Sequence, residues 1–254
     1  MTAQKSAGEK HTFYNGRGQK LAALFYPAAG KTLLVVCHGF TGSKEGRGRA
    51  LAMAQRAAEL GYPTFLFDFA GCGESEGDFA GVTLSGHIDD LKCALDYCRA
   101  AGYRRAVTVG RSFGGTTVLC HAADDGRVAG VCTWAAPADP YRLFSALRGE
   151  TAQTGLVPLH GDAGTVYVRE AFFSDLASYD VPARAAAVSP RPLLVVHGSA
   201  DAVVPPDDAL AIYSRAGQPK ELFIVPGADH QFTDHYREVW EAMFSWLQKH
   251  FPAS

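Results

Sequence analysis

Short apolar runs alternate along the chain with longer segments whose apolar residues recur at intervals of three and four. The runs predict strands, several of them buried on both faces, and the longer segments predict amphipathic helices. The predicted strands are Thr12–Asn15, Leu21–Tyr26, Thr32–Cys37, Thr64–Phe67, Ala106–Gly110, Val128–Trp134, Leu193–His197 and Glu221–Val225. The predicted helices are Arg49–Leu60, Leu84–Ala101, Phe113–Ala123, Asp207–Ala216 and Tyr236–His250. This alternation predicts an α/β fold with a mostly parallel central sheet flanked by helices.

The alternation stops after the sixth predicted strand. Residues 135–189 have no clean period and carry many aromatic side chains, among them Phe144, Tyr167 and Phe172. No internal repeat, low-complexity tract or linker divides the chain. We therefore expect residues 1–254 to form a single domain, with residues 135–189 as a cap inserted over the sheet.

Composition and charge exclude several classes of partner. The 254 residues carry 24 basic and 26 acidic side chains and no long basic run, so we expect no nucleic-acid or membrane-surface binding. The segment Met1–Lys10 is polar, and no apolar stretch reaches the about 18 residues that span a bilayer. The six cysteines form no Cys-x-x-Cys pair. These features predict a cytoplasmic protein, in which Cys72 of a Gly-rich loop is the thiol to watch for reactivity.

A candidate nucleophile lies between the fifth predicted strand and the helix that follows it. Gly110-Arg111-Ser112-Phe113-Gly114 fits the pattern Gly-x-Ser-x-Gly, which places a serine on a sharp, strained turn. The flanking positions need small residues because larger side chains would collide across that turn. The position after a buried strand makes Ser112 the predicted nucleophile.

A serine hydroxyl needs a base to take its proton and a carboxylate to orient that base. Asp201 and His230 each follow a predicted strand, at the sheet edge where ligands gather in α/β folds. We predict that His230 is the base and Asp201 its orienting acid. Among the other carboxylates, Asp229 is expected to be a turn residue, Asp207 and Asp208 are expected to cap the next helix, and Asp175 is a weaker alternative acid.

Acyl transfer develops negative charge on the carbonyl oxygen, and backbone N–H groups stabilise that charge. One donor is expected to be the N–H of Phe113, directly after the nucleophile. The second is expected in the loop His38-Gly39-Phe40-Thr41-Gly42, where Phe40 is the candidate.

With these residues in place, the chain resembles the α/β-hydrolase superfamily. The match is best to single-domain carboxylesterases, including feruloyl (cinnamoyl) esterase-like and serine-aminopeptidase-like members. Five segments match in order: His38–Ser43, Asp68–Ser75, Gly110–Gly115, His197–Pro205 and Gly227–His230. The second departs from the family, because Ala70 and Cys72 stand where Arg and His are frequent.

The resemblance implies a serine hydrolase that cleaves carboxylic esters through a Ser112 acyl-enzyme, without a cofactor or metal. Phe144, Tyr167 and Phe172 of the cap are candidates for a pocket that takes small-to-medium or aromatic acyl groups. An aminopeptidase or amidase of the same fold is the alternative, and it would need a cap carboxylate such as Glu150, Asp162, Glu170 or Asp175. A non-catalytic ligand-binding receptor is a third. The oligomeric state stays open, and a homodimer is one of the states the sequence allows.

Overall fold

A computed structural model describes residues 8–151, 155–161 and 164–253 of the protein. Its strands are β1 (Glu9–Tyr14), β2 (Lys20–Tyr26), β3 (Thr32–Cys37), β4 (Thr64–Phe67), β5 (Arg105–Arg111), β6 (Val128–Trp134), β7 (Leu156–Gly161), β8 (Gly164–Arg169), β9 (Leu193–Gly198) and β10 (Lys220–Val225). Its α-helices are α1 (Arg49–Glu59), α2 (Leu84–Ala100), α3 (Phe113–Asp124), α4 (Pro140–Ala146), α5 (Ala171–Leu176), α6 (Val181–Ala186), α7 (Pro206–Arg215) and α8 (Tyr236–His250).

Eight strands form one sheet in the order β1-β2-β4-β3-β5-β6-β9-β10. The pairs β1–β2 and β2–β4 are antiparallel, and every neighbouring pair from β4 to β10 is parallel. Parallel strands leave their carboxyl ends at one edge of the sheet. The loops that follow β3, β5, β9 and β10 therefore meet at that edge. The predicted mostly parallel α/β fold is confirmed.

Two apolar clusters cover the two faces of the sheet. Alternate side chains of β3 show the division, since Leu33 and Val35 belong to one cluster and Leu34 and Val36 to the other. The first cluster joins the sheet to α2, α3, α6 and α7 and continues into the cap, and the second joins it to α1 and α8. We call these the cap face and the α1/α8 face.

The segment after β6 contains short elements that the sequence pattern did not predict. Strands β7 and β8 pair as an antiparallel hairpin separate from the main sheet, and α4 packs against α5. Helix α6 packs against α3 and α7, as a flanking helix does. Each element has six or seven residues, too few for a helical or strand period to be recognised.

The predicted bounds elsewhere agree with the structure to within a residue, except that β1 begins at Glu9 instead of Thr12. In the described ranges, no helix combines the length and the apolar character that a bilayer crossing needs. The expectation about Cys72 is not supported, because its side chain is buried and burial raises the pKa of its thiol to about 12.

Candidate active site

Ser112 occupies the sharp turn between β5 and α3. Its backbone has φ 52° and ψ −124°, in a region that non-glycine residues rarely adopt. A Cβ on Gly110 would overlap the carbonyl oxygen of Gly114, and one on Gly114 would overlap the carbonyl oxygens of Cys37 and His38. The glycines of Gly-x-Ser-x-Gly are therefore required by backbone packing. The turn is also held by the Ser112 N–H, which donates to the Trp134 carbonyl at 2.7 Å.

His230 and Asp201 lie in the loops after β10 and β9, at the same sheet edge as Ser112. The His230 Nδ1 is 2.8 Å from Asp201 Oδ2, and its Nε2 is 3.1 Å from the Ser112 Oγ. The other oxygen of Asp201 accepts hydrogen bonds from the N–H groups of Val203 at 2.9 Å and Val204 at 2.8 Å. The three predicted side chains thus form one continuous hydrogen-bonded chain.

The surroundings of Asp201 keep its carboxyl ionised. Burial alone would raise its pKa, but hydrogen bonds from His197 and His230 outweigh that effect and hold the pKa of Asp201 well below its ordinary value. His197 is fully buried, with its Nε2 3.2 Å from Asp201 Oδ2 and 2.9 Å from the Val204 carbonyl oxygen. An ionised Asp201 can only accept, so the His230 Nδ1 carries the proton and its Nε2 faces Ser112 as an acceptor.

The loop after β3 is shaped by hydrogen bonds to the Gly39 carbonyl oxygen. That oxygen accepts from the Gly42 N–H at 3.0 Å and lies 2.7 Å from the His38 Nδ1. Because a trans peptide directs its N–H away from its C=O, the Phe40 N–H points out of this turn. Neither the Phe40 N–H nor the Phe113 N–H donates to another described residue. A Cβ on Gly39 would lie 3.3 Å from the Ser112 Cβ, so the loop that contains Phe40 approaches the nucleophile closely.

Aromatic side chains from the segment 135–189 pack around Phe40. The Phe40 ring centroid lies 4.6 Å from that of Phe144, 5.3 Å from that of Phe172 and 5.6 Å from that of Phe113. Phe144 and Phe172 are 5% and 0% exposed, whereas Phe40 is half-buried. Tyr167 does not join them and is 50% exposed on β8. The structure therefore brings two of the three predicted pocket residues together and leaves Tyr167 at the surface.

The competing carboxylates have other partners. Asp229 accepts from the N–H and the hydroxyl of Thr233, and Asp175 accepts from the N–H and the hydroxyl of Ser85. Asp208 is buried and binds the Ala138 N–H at 2.9 Å and the Arg142 guanidinium at 3.0 Å. Asp208 therefore links α7 to the start of the segment 135–189. The sequence predicted only that Asp208 caps its own helix.

Two cationic side chains of the site were not singled out from the sequence. Lys44 is buried in the loop after β3, where its Nζ contacts Asp68 at 2.7 Å, Glu74 at 2.6 Å and Glu45 at 2.8 Å. Arg111 donates to the His230 carbonyl oxygen at 3.3 Å. Arg111 could have been noticed in the sequence, because it is a charged residue at the end of a buried strand. The sequence pattern around Lys44 did not indicate a role for it.

Comparison with known proteins shows what the chain is similar to in sequence and in fold. The family model described as alpha/beta hydrolase fold matches residues 32–154. The uncharacterised protein YfhR of Salmonella typhimurium is 30% identical over 190 residues, which are 72% of this chain and 61% of YfhR. The chain thus matches less than two thirds of the length of this relative.

Solved structures share the fold at lower identity. Est1E of Butyrivibrio proteoclasticus, solved with bound ferulic acid, aligns with a TM-score of 0.83 and 22% identity, covering 94% of this chain and 98% of Est1E. The esterase domain of a Rhodothermus marinus protein aligns with a TM-score of 0.77 and 24% identity, covering 95% and 98%. The chain therefore has the α/β-hydrolase fold, as the predicted resemblance implied.

Proposed function

We propose that this protein is a serine hydrolase that cleaves carboxylic esters through an acyl-enzyme on Ser112. The hydrogen-bonded chain Asp201–His230–Ser112 carries the proposal, because it supplies a nucleophile, a base and an acid that orients the base. Its position beside two unpaired backbone N–H groups adds the stabiliser that acyl transfer requires.

The proposed reaction has two halves. His230 takes the Ser112 proton while Oγ attacks the ester carbonyl, and the resulting oxyanion accepts hydrogen bonds from the Phe40 and Phe113 N–H groups. His230 then returns the proton to the leaving alcohol, and the C–O bond of the ester breaks. In the second half His230 activates a water molecule, which releases the carboxylic acid and restores Ser112.

The acyl group is proposed to be small to medium in size or aromatic. Phe40 contributes one of the two oxyanion donors and also belongs to the aromatic group with Phe144 and Phe172. An apolar acyl chain leaving the oxyanion site would therefore meet an aromatic surface at Phe40. Ferulic acid is bound to Est1E, which makes feruloyl esters a suitable aromatic substrate to assay.

The amidase alternative gains no support from the cap carboxylates that are described. An aminopeptidase would need a free carboxylate to hold the substrate amine. Glu170 is bound to Arg148, and Asp175 is bound to Ser85. Glu150 is exposed and makes no hydrogen bond or ion pair with Ser112, Asp201 or His230, and Asp162 lies outside the described residues. Esters are therefore the proposed substrate class.

The test compares wild-type protein with Ser112→Ala on p-nitrophenyl esters of increasing acyl length, feruloyl esters and aminoacyl anilides. Wild-type turnover of esters should exceed that of anilides, and Ser112→Ala should lower kcat by about 10⁴-fold or more. Ser214→Ala, at an exposed position of α7, is the matched control and should keep full activity. Unchanged turnover in Ser112→Ala would contradict the proposal. Ligand binding without turnover in the wild type would instead indicate a receptor.

A further inference from the structure

A cavity of about 580 Å³ lies on the α1/α8 face, beside the catalytic residues but not formed by them. The residues that line it do not include Ser112, Asp201 or His230. It is enclosed by the loop after β3, the start of α1, the loop Gln231–Thr233 and the start of α8. Its apolar wall consists of Val36, Met53, Leu66, Trp134, Phe232 and Trp240.

The charged side chains of the lining are all cationic, and the carboxylates nearest to them lie outside the wall. Arg47, Arg49, Arg111 and Lys44 line the cavity, and none of the described residues in its wall is Asp or Glu. Lys44 already contacts three carboxylates. The nearby acids are Asp68, Glu74 and Glu45, which contact Lys44, together with Asp201, which pairs with His230, and Asp229, which accepts from Thr233. None of these carboxylates forms an ion pair with the three arginines.

The three guanidinium groups differ in the partners they have. Arg49 donates to the carbonyl oxygens of Gln231 and Thr233, both at 3.1 Å. Arg111 has only the 3.3 Å bond to the His230 carbonyl, and no carboxylate of a described residue lies within ion-pair distance of it or of Arg47. Burial lowers the pKa of the Arg111 guanidinium. The negative charge of Asp201 raises this pKa, whereas the positive charges of Arg47 and Arg49 lower it. A partly buried guanidinium with four donors that bond to no described residue is the kind of group that an anionic ligand stabilises.

We propose that this cavity binds a small organic carboxylate with an apolar chain or ring. The planar fork of a guanidinium matches a carboxylate, so Arg111 and Arg47 would hold the head group. The wall from Val36 to Trp240 would take the apolar body, and the volume is in the range of small-molecule sites. A cation is disfavoured by the three arginines, and a purely apolar ligand would leave their charge unmatched.

This site is independent of the proposed ester hydrolysis, because no member of the catalytic chain forms its wall. It adjoins the catalytic loops, however. Its lining includes Gly39 and Thr41 from the oxyanion loop and Gln231, which follows the predicted base. A Cβ on Gly39 would lie 3.2 Å from an Arg111 nitrogen, so the guanidinium is packed directly against that loop.

The test uses octanoate as the probe and tryptophan fluorescence as the readout, since Trp134 and Trp240 line the cavity. Titrations are carried out on Ser112→Ala at neutral pH, so that activity plays no part. Octanoate should produce a saturable change, and octan-1-ol, which lacks the charge, should bind at least about tenfold more weakly. Inorganic phosphate, which lacks the apolar body, should bind more weakly than octanoate.

Arg47→Gln and Arg111→Gln should each weaken octanoate binding by about five- to tenfold. Arg104→Gln is the matched control, because Arg104 is exposed at the opposite end of β5 and should leave binding unchanged. Arg47 is exposed, so its variant remains informative even where Arg111→Gln fails to fold. The proposal is overturned by the absence of a saturable signal, by equal binding of octan-1-ol or phosphate, or by unchanged octanoate affinity in Arg47→Gln. Loss of esterase activity with intact octanoate binding would concern the catalytic residues only.

Discussion

At the scale of single residues, the site depends on one serine held in an unfavourable backbone conformation. A non-glycine residue with φ near 50° costs on the order of 1–3 kcal/mol, and the surrounding packing of β5, β6 and α3 must offset it. The conformation presents Oγ to His230, and the N–H of the next residue, Phe113, donates to no other described residue. The strained backbone conformation of Ser112 is thus the one that places its Oγ within hydrogen-bond distance of His230, as the proposed reaction requires.

The role of Asp201 gives a prediction at this scale. Asp201→Asn should lower kcat by about 10⁴-fold, because an amide N–H facing His230 Nδ1 would favour the tautomer that cannot accept the Ser112 proton. Asp229→Asn, next to His230 but directed to Thr233, should change kcat by about twofold at most. Steady-state kinetics on a p-nitrophenyl ester, with circular dichroism to check the fold, makes the comparison.

Full activity in Asp201→Asn together with a large loss in Asp229→Asn would reverse the assignment of the acid. Equal losses in both variants, with lowered melting temperatures, would show that the effect is structural.

The positions of the three residues in the proposed catalytic chain could be predicted from the ends of the strands that precede them. Ser112, Asp201 and His230 were predicted because each follows a strand of one parallel sheet, and the structure brings all three together. Phe40 and Phe113 lie where the sequence placed them, and their role as oxyanion donors stays a proposal. The contacts of Arg111 with His230 and of Lys44 with Asp68 and Glu74 could not be predicted, because these partners are distant in the chain and a charged side chain near a buried strand has many possible environments.

At the scale of elements, the turn between β5 and α3 depends on the contact of Gly110 with the start of the helix. Gly110→Ala should lower the free energy of unfolding by about 3 kcal/mol, because its methyl group would collide with the Gly114 carbonyl and the backbone would have to move. Gly126→Ala is the matched control, since nothing lies within 4 Å of its Cβ position. That control should change stability by less than about 1 kcal/mol. Urea denaturation measures both.

A Gly110→Ala variant as stable as Gly126→Ala would show that the elbow tolerates a side chain at this position. The close approach of β5 and α3 would then not be the reason for the glycine.

The strands of the main sheet and the helices beside it were predictable because each keeps its pattern of apolar residues over enough positions to be recognised. In the strand Thr32–Cys37 every residue after Thr32 is apolar, and α2 keeps its apolar spacing over 17 residues. Residues 135–189 were not predictable in the same way. The hairpin β7–β8 and the helices α4 to α6 are short, and contacts with the rest of the protein determine them more than local periodicity does.

At the scale of the whole molecule, the sheet separates two apolar faces that carry different side chains. The cap face contains the aromatic group around Phe40, and the α1/α8 face contains the cationic cavity. The proposed catalytic chain lies at the edge between them. Hydrogen bonds such as that of Asp208 to Ala138 connect the cap to the flanking helices.

Removal of the Asp208 carboxylate tests how the cap is held. Asp208→Ala would leave the buried Ala138 N–H without a partner and release Arg142, so stability should fall by about 1–3 kcal/mol. Hydrogen exchange should accelerate in peptides that cover α4 and remain unchanged in α1 and α8. Asp207→Ala, exposed on the same helix, should alter neither property. Equal exchange of α4 in the two variants would show that the cap does not depend on Asp208.

The central claim is that Ser112 Oγ becomes covalently attached to the acyl group. The most direct measurement is peptide mapping by mass spectrometry after brief reaction with a fluorophosphonate, which forms a stable adduct with an activated serine. We predict one modification per chain, located at Ser112, absent in Ser112→Ala and strongly slowed in His230→Ala. Modification at another residue, or labelling of Ser112→Ala to the same extent as the wild type, would contradict the account.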